Sequence, residues 1–331
     1  MNSFGNVFRV SLFGESHGNA VGVVIDGCPP GIAVSPDDFI PDLSRRQSGS
    51  RGTTNRREPD KPEVLSGIFN GFTTGSPLTV ITRNSDRISS DYDDFKNIPR
   101  PGHADFVAGI KYSGFADLRG SGHFSGRITW GFVAAGVIAK KILKPAEIEA
   151  KLVSAGGSTD IEKALDEAIA DNDTIGGIIE CRVHNPMRAI GEPFFYSVES
   201  AISHAVFSVP AIKGIEFGSG FSAPLMRGSE HNDPFIDPAG KTATNNAGGI
   251  NGGITNGNEI VFRVAVKPTS STGVVQNTLD FSTGKMTQLK VKGRHDTCIA
   301  LRMPVIIEAA AAVALADLIM IDRAVNGSRG S

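Results

Sequence analysis

The segment PVIIEAAAAVALADLIMIDRAV (304–325) is built almost entirely of alanine, isoleucine, valine and leucine, and reads as a helix that Gly327 ends. A helix apolar around most of its circumference needs cover on several sides. Either the centre of a core or a subunit interface supplies that cover. Glu308 and Asp317 interrupt the longest apolar run, 305–321, which argues for burial in protein and against a membrane span. Whatever else this chain forms, its other elements must wrap this one.

Strand-like stretches at 7–13, 21–26 and 63–81 dominate the first eighty or so residues. Between them SPDDFIPDLSRR (35–46) reads as a helix, with Ser35 as N-cap, Pro36 in the first turn and Asp38 completing a capping box. Small and aliphatic residues predict a buried helix over 129–143, with two lysines near its end. A strand at 149–154 precedes an acid-rich helix capped by Ser158 and running to about 170. Strands at 174–183 and 259–266 flank a helix at 198–209 that Pro210 stops. Strands often follow strands without a crossover helix. The expected class is therefore α+β, antiparallel sheets packed with helices, in one domain spanning 1–331.

Glycine makes up 39 of the 331 residues, well above the average of roughly 7%. Much of the backbone must turn sharply or approach something closely. The cysteines Cys28, Cys181 and Cys298 form neither a disulfide framework nor a metal-ligand pattern, which fits a reducing compartment. The opening MNSFGNVFRVSLFG lacks a basic region followed by an apolar core, so no signal peptide is expected and the location expected is cytoplasmic.

A net charge of −2 gives the whole molecule no field that gathers anions. The arginines are nevertheless uneven. SRRQSGSRGTTNRR (44–57) holds five, with no acid between them and no aromatic on which a base would stack. A small, multiply charged anion fits this stretch better than nucleic acid.

FGESHG (13–18) satisfies G-x-S-x-G, the nucleophile elbow of serine hydrolases. An elbow needs a helix after the serine and an oxyanion loop, usually earlier in the chain. Here a second strand-like stretch follows, and too little chain precedes Gly14. A plain turn between strands is the alternative, although it leaves Glu15, Ser16 and His17 side by side unexplained. RPGHAD (100–105) places His103 in a turn between an arginine and an aspartate, either as a surface histidine or facing a pocket. KGRHDTC (292–298) sets His295 and Asp296 among cations. No histidine pair has zinc-ligand spacing, so no metal is expected. AGGINGGITNG (247–257) and KPTSS (267–271) offer backbone N–H groups, a lysine and hydroxyls to a phosphate, without the spacing of a P-loop or a Rossmann turn.

In their order, these motifs resemble one family, the chorismate synthases. FRVSLFGESHG, VIDGCPPGI, TTNRREPD, LSGIFNGFTTGSP, RPGHAD, the AGG-x-x-GGI-x-NG loop, KPTSS and GRHDTCIALRMPVIIEA follow one another along nearly the whole chain. The resemblance implies a β-α-β sandwich and a 1,4-elimination in the anti sense: 5-enolpyruvylshikimate-3-phosphate loses phosphate and a ring proton to give chorismate. It also implies a requirement for reduced FMN, which lends electron density and recovers it, and a homotetramer. A substrate with a phosphate and two carboxylates matches the arginines, and a flavin matches the glycine loops and histidines.

By matched motif, His17 resembles the acid that protonates reduced flavin, and His103 the acid that assists the departing phosphate. Asp296, with Ser16 and Ser125, resembles the relay that accepts the substrate proton at the flavin. Ser125, Ala211, Gly252, Lys267, Pro268, Thr269, Ser270, Ser271 and Arg294 match flavin-binding positions. Arg45 and Arg51 match positions associated with NADPH or with substrate anions. Arg46 and Arg127 are further substrate-binding candidates.

One stretch departs from the pattern. GSGHFSGRIT (120–129) carries His123, Phe124 and Ile128 where the family more often has Arg, Ser and Glu. Histidine in place of arginine exchanges a fixed charge for one that pH controls, and predicts a stronger pH dependence of flavin or substrate affinity. The arginine segment reads RRQSGSR where RRRPGxSR is usual, which loosens the NADPH assignment.

Overall fold

In the computed structural model, which describes residues 2–54, 58–85, 95–291 and 295–327, the terminal helix Pro304–Asn326 lies inside the chain's own fold. Every residue from Val305 to Ile319 is buried. Of the two covers foreseen for this helix, the core supplies it. By length and composition the helix passes for a membrane span, but burial inside the protein makes it a core helix.

Its acids are held internally. Asp317 accepts the backbone N–H groups of Asn6, Val7 and Phe8 at 2.7–3.0 Å. Glu308 accepts two hydrogen bonds from Arg45, at 2.8 and 2.6 Å, one from Lys140 at 2.8 Å and one from the Ala150 N–H at 3.0 Å. Burial alone acts to raise the Glu308 pKa, but the Arg45 and Lys140 cations outweigh it and hold the group below the usual range.

Two antiparallel sheets sandwich the helices. The first runs Ser3–Phe4, Arg9–Gly14, Ala20–Asp26, Leu78–Arg83, Glu63–Ser66. The second runs Ile212–Phe217, Ile260–Val266, Gly177–His184, Glu147–Ala155. Helix Thr129–Leu143 packs on the first sheet and against the terminal helix, which in turn packs on Glu147–Ala155. The two helices approach closely because the contact is made of small residues: a Cβ added at Gly136 would lie 2.4 Å from the Ala309 Cβ. Helix Val198–Phe207 covers a further side of the terminal helix. This is the α+β class anticipated from the strand order, in the sandwich that the resemblance implies.

Several boundaries differ from the sequence reading. The stretch 63–81 is not one strand. Positive φ at Gly67, Asn70, Gly71 and Gly75 turns the chain, so Glu63–Ser66 folds back to pair with Leu78–Arg83 around the small ladder Ile68–Phe69/Phe72–Thr73. The acid-rich helix begins at Ile161, capped by Asp160, whose side chain accepts the Lys163 N–H; Ser158 sits in the turn before it and bridges back to Ala155. The helix begun at Val198 ends at Phe207. Helix Asp105–Lys111 and the hairpin Gln276–Asp280/Lys285–Leu289 were not foreseen.

Candidate active site

GESHG forms the turn between two strands of the first sheet, Arg9–Gly14 and Ala20–Asp26. No helix follows Ser16, so the elbow geometry of a serine hydrolase is absent. The Gly18 N–H closes the turn on the Glu15 carbonyl at 3.0 Å, and the Ser16 N–H donates to the Gly122 carbonyl at 3.0 Å. Ser16 and His17 are both buried. Gly120, at φ 58°, lies directly over them: a Cβ there would sit 2.4 Å from His17 Cδ2 and 2.8 Å from Ser16 Oγ. The segment 120–129 therefore forms one wall against the GESHG turn.

The departure from the family pattern lies in that wall. His123 directs Nδ1 at the Gly14 carbonyl, 3.0 Å away, and Nε2 at Asn2 Oδ1, 3.1 Å away. Ser125 accepts the Arg127 N–H at 3.2 Å and caps the turn that leads into helix Thr129–Leu143. Arg127 donates Nε to Asn84 Oδ1 at 3.0 Å and Nη1 to Asp60. Arg46 reaches the other oxygen of the same carboxylate at 3.0 Å. Burial opposes ionisation of Asp60, but the two guanidinium groups keep its pKa below the usual range. Burial is also the main reason that Arg46 is pushed down to about 10, with Arg127 and Arg302 adding repulsion against the attraction of Asp60.

Arg302 joins this group and holds Asp296 Oδ2 at 2.6 Å, while Asp296 Oδ1 accepts the Thr54 N–H at 2.9 Å. Arg46, Arg127 and Arg302 thus set three cations against the two carboxylates of Asp60 and Asp296, leaving one positive charge over. Arg46 Nε, Arg127 Nη2 and Arg302 Nε are buried and find no hydrogen-bond partner among the described residues. Unmatched guanidinium donors in a dry setting favour an anion. Arg46 and Arg302 line a recess of about 20 Å³ with Gly126, Thr129, Met303 and Ile306. That volume suits a water-sized group, so the recess is an inner corner of the site and not a substrate pocket.

A second cluster surrounds His103. Its Nδ1 lies 2.6 Å from Asp105 Oδ1, and Arg100 donates to both Asp105 oxygens at 2.8 Å. Burial acts to raise the Asp105 pKa, but hydrogen bonds from Arg100 and His103 drive it far below the carboxylate range. His103 is accordingly more than a surface histidine: it is oriented by a fixed carboxylate. Arg100 also reaches Ser271 Oγ at 3.0 Å and Ser121 Oγ at 3.1 Å. Lys267 Nζ clamps the same turn through the Gly102 carbonyl at 2.8 Å and Ser270 Oγ at 2.6 Å. Burial, and secondarily Lys213, lower the Lys267 pKa.

The KPTSS segment continues the cluster. The Lys267 N–H donates to the carbonyl of Ala211, which sits at φ 75°. Thr269 Oγ1 is buried with no partner among the described residues. Gly252 is at the tip of the hairpin Ile250–Asn251/Ile254–Thr255, where an added Cβ would meet nothing within 4 Å. An orphaned hydroxyl and a lysine fit the phosphate and polar edge of a flavin, whereas the Gly252 hairpin packs beside Glu192 and Ser197, at the opposite end of strand Ile260–Val266 from Lys267.

The GESHG turn, the 120–129 wall, RPGHAD and KPTSS come together in one place. Arg100 links the His103 cluster to Ser121, the neighbour of Gly120, and Gly120 touches His17. Two candidates are engaged elsewhere. Arg45 is the partner of Glu308, and Arg51 pairs with Glu162 and Asp166. Arg294 lies outside the described residues. Asp60, Gly120 and Arg302 stand in motifs already quoted but had no role there, and Asn84 stands in none; Asp60, Asn84 and Gly120 matter through residues far away in the chain, and Arg302 through Asp296 six residues before it.

A buried guanidinium group, two histidines and a fixed carboxylate on an antiparallel frame define an enzyme whose site is organised around negative charge. The comparisons specify it further. A family model described as chorismate synthase matches residues 8–320. A chorismate synthase of Chitinophaga pinensis is 58% identical over 327 residues, covering 98% of this chain and 98% of that protein. One from Thermococcus kodakarensis is 42% identical over 350 residues, covering 98% and 99%. A solved structure described as the crystal structure of chorismate synthase matches with a TM-score of 0.74 at 27% identity, covering 96% of this chain and 93% of that one. The chain belongs to the chorismate synthase family, a family of lyases.

Proposed function

We propose that this chain converts 5-enolpyruvylshikimate-3-phosphate to chorismate by anti-1,4-elimination, with reduced FMN bound beside the substrate. The observation that carries this reading is the set of orphaned donors on Arg46, Arg127 and Arg302, next to Asp296 and within one wall of His17. Three guanidinium groups against two carboxylates give this corner the positive charge that a substrate with a phosphate and two carboxylates needs nearby. When bound, the reduced flavin supplies the electron density that the elimination borrows.

Lys267 and Thr269 hold the flavin's polar groups, with Ala211, Pro268, Ser270, Ser271 and Arg294 completing its site. His103, oriented by Asp105, gives a proton to the departing phosphate, and protonated His17 supplies one at the flavin. Asp296 is held as an acceptor by Arg302 and Thr54 and, with Ser16 and Ser125, takes the ring proton. Arg51 and Arg45 stay candidates for NADPH or for substrate anions, which would have to compete with Glu162 and Asp166 for Arg51 and with Glu308 for Arg45. The chain acts as one domain in the cytoplasm, as the last common step of aromatic amino-acid synthesis. A homotetramer belongs to the same reading, and exposed Phe194, Phe195, Phe221, Leu225 and Phe235 are side chains of the kind that a subunit contact covers.

An anaerobic assay with reduced FMN and the enolpyruvyl substrate tests the reading. Phosphate release that vanishes without flavin and falls by about a hundredfold in His17→Ala is the expected result. Turnover independent of flavin overturns it.

A further inference from the structure

Asn84, at the end of strand Leu78–Arg83, is a buried amide whose three polar contacts lie on two different parts of the site. Its Nδ2 donates to the Glu15 carbonyl at 3.0 Å and to the Gly18 carbonyl at 2.9 Å. Those two carbonyls bracket Ser16 and His17. Its Oδ1 accepts Nε of Arg127 at 3.0 Å, and its own N–H donates to the Asn19 carbonyl at 3.1 Å. A primary amide has two N–H donors and one carbonyl, and here both ends are used inside the protein.

We propose that Asn84 is a positioning residue that locks the His17 turn to the Arg127 guanidinium, so that proton donor and anion clamp keep one fixed spacing. The proposal rests on the family reaction and adds to it a residue that touches neither substrate nor flavin. The chemistry of the amide explains why it suits the position. The turn offers only carbonyl acceptors and Arg127 only a donor, so the linking group must donate on one side and accept on the other. Aspartate matches Arg127 but, ionised, has no hydrogen for the turn. Alanine serves neither side. Glu15 and Asp117 are the acidic neighbours of this turn, and Asp117 senses the charge on His17.

The test compares wild type, Asn84→Ala, Asn84→Asp, His17→Ala and the double variant Asn84→Ala/His17→Ala. Steady-state turnover with reduced FMN is measured from pH 6 to 9, and His17 is titrated by NMR in the ligand-free protein. The expected result is a loss in kcat of about tenfold in Asn84→Ala and in Asn84→Asp, for a donor displaced from its working geometry. In the His17→Ala background, adding Asn84→Ala costs less than about twofold, because coupled residues do not add. The His17 titration midpoint moves in Asn84→Asp even without ligand. Losses that multiply independently, together with an unmoved His17 titration, overturn the proposal and leave Asn84 a structural residue. If Asn84→Ala fails to fold, Asn84→Asp and the NMR titration decide alone. A wild-type protein without turnover would sink the family reaction instead, and the titration would still judge Asn84.

Discussion

Gly120 and His17 are in contact so close that a single methyl group on Gly120 would lie 2.4 Å from the imidazole Cδ2 and 2.5 Å from Nε2. The backbone at Gly120 is also left-handed, with φ 58°. Glycine is thus required twice, by conformation and by space.

Gly120→Ala therefore displaces His17 or the wall above it. We expect kcat to fall by about a hundredfold, the effect of a shift near 1 Å in a catalytic group. Stability should fall as well, by about 1–3 kcal/mol, for a non-glycine residue in a left-handed conformation. Kinetics and urea unfolding of the same variant separate the two effects; unchanged kcat would mean that His17 tolerates movement.

Glu308 gathers Arg45, Lys140 and the Ala150 N–H in the centre of the sandwich. Glu308→Gln removes the charge that holds two cations together, and should cost less than the roughly 3–5 kcal/mol of a fully buried pair, because Arg45 and Lys140 keep part of their side chains in water. The sign with pH follows from the lowered Glu308 pKa. The charge contributes stability above the unfolded value of about 4.3, and that stability is lost as pH falls through the lower folded value. The gap between wild type and variant in urea unfolding should be full at neutral pH and shrink below about pH 4. A gap independent of pH would contradict this.

His123 stands where the family more often carries arginine, and bridges Gly14 to Asn2 from the wall that faces the GESHG turn. Protonation changes what this bridge donates, and hence the hold on the turn. Dissociation constants for FMN and for the enolpyruvyl substrate, measured from pH 6 to 8, should vary in wild type and flatten in His123→Gln. Equal, flat curves in both proteins would remove the idea.

Local structure is written in the sequence wherever its cause spans only a few neighbouring residues. The strands around GESHG, the helix at 129–143 and the capping of 35–46 were legible because periodicity and caps act over a few neighbouring residues. The stretch 63–81 misled because its residues suit strands, while the chain reversals depend on left-handed turns inside it. His103 was ambiguous in sequence because its role depends on Asp105 being buried and ionised, which Arg100 and the surrounding packing arrange.

By itself the sequence determined that the terminal helix must be covered on several sides, that sheets would be antiparallel, and that arginines, histidines and glycine loops would serve an anionic chemistry. Only the tertiary structure decided what covers the helix: the second sheet, through Glu147–Ala155 and Gly177–His184, and the helices Thr129–Leu143 and Val198–Phe207 of the same chain. It also decided which arginines face inward. Arg45 and Arg46 are adjacent in sequence, yet helix geometry sends one to Glu308 and the other to Asp60 beside Arg127. Asp60, Asn84, Gly120 and Arg302 acquire their meaning in the same way. Their partners lie mostly in other segments, and a hydrogen bond or a steric contact between segments leaves no mark on the local pattern of either.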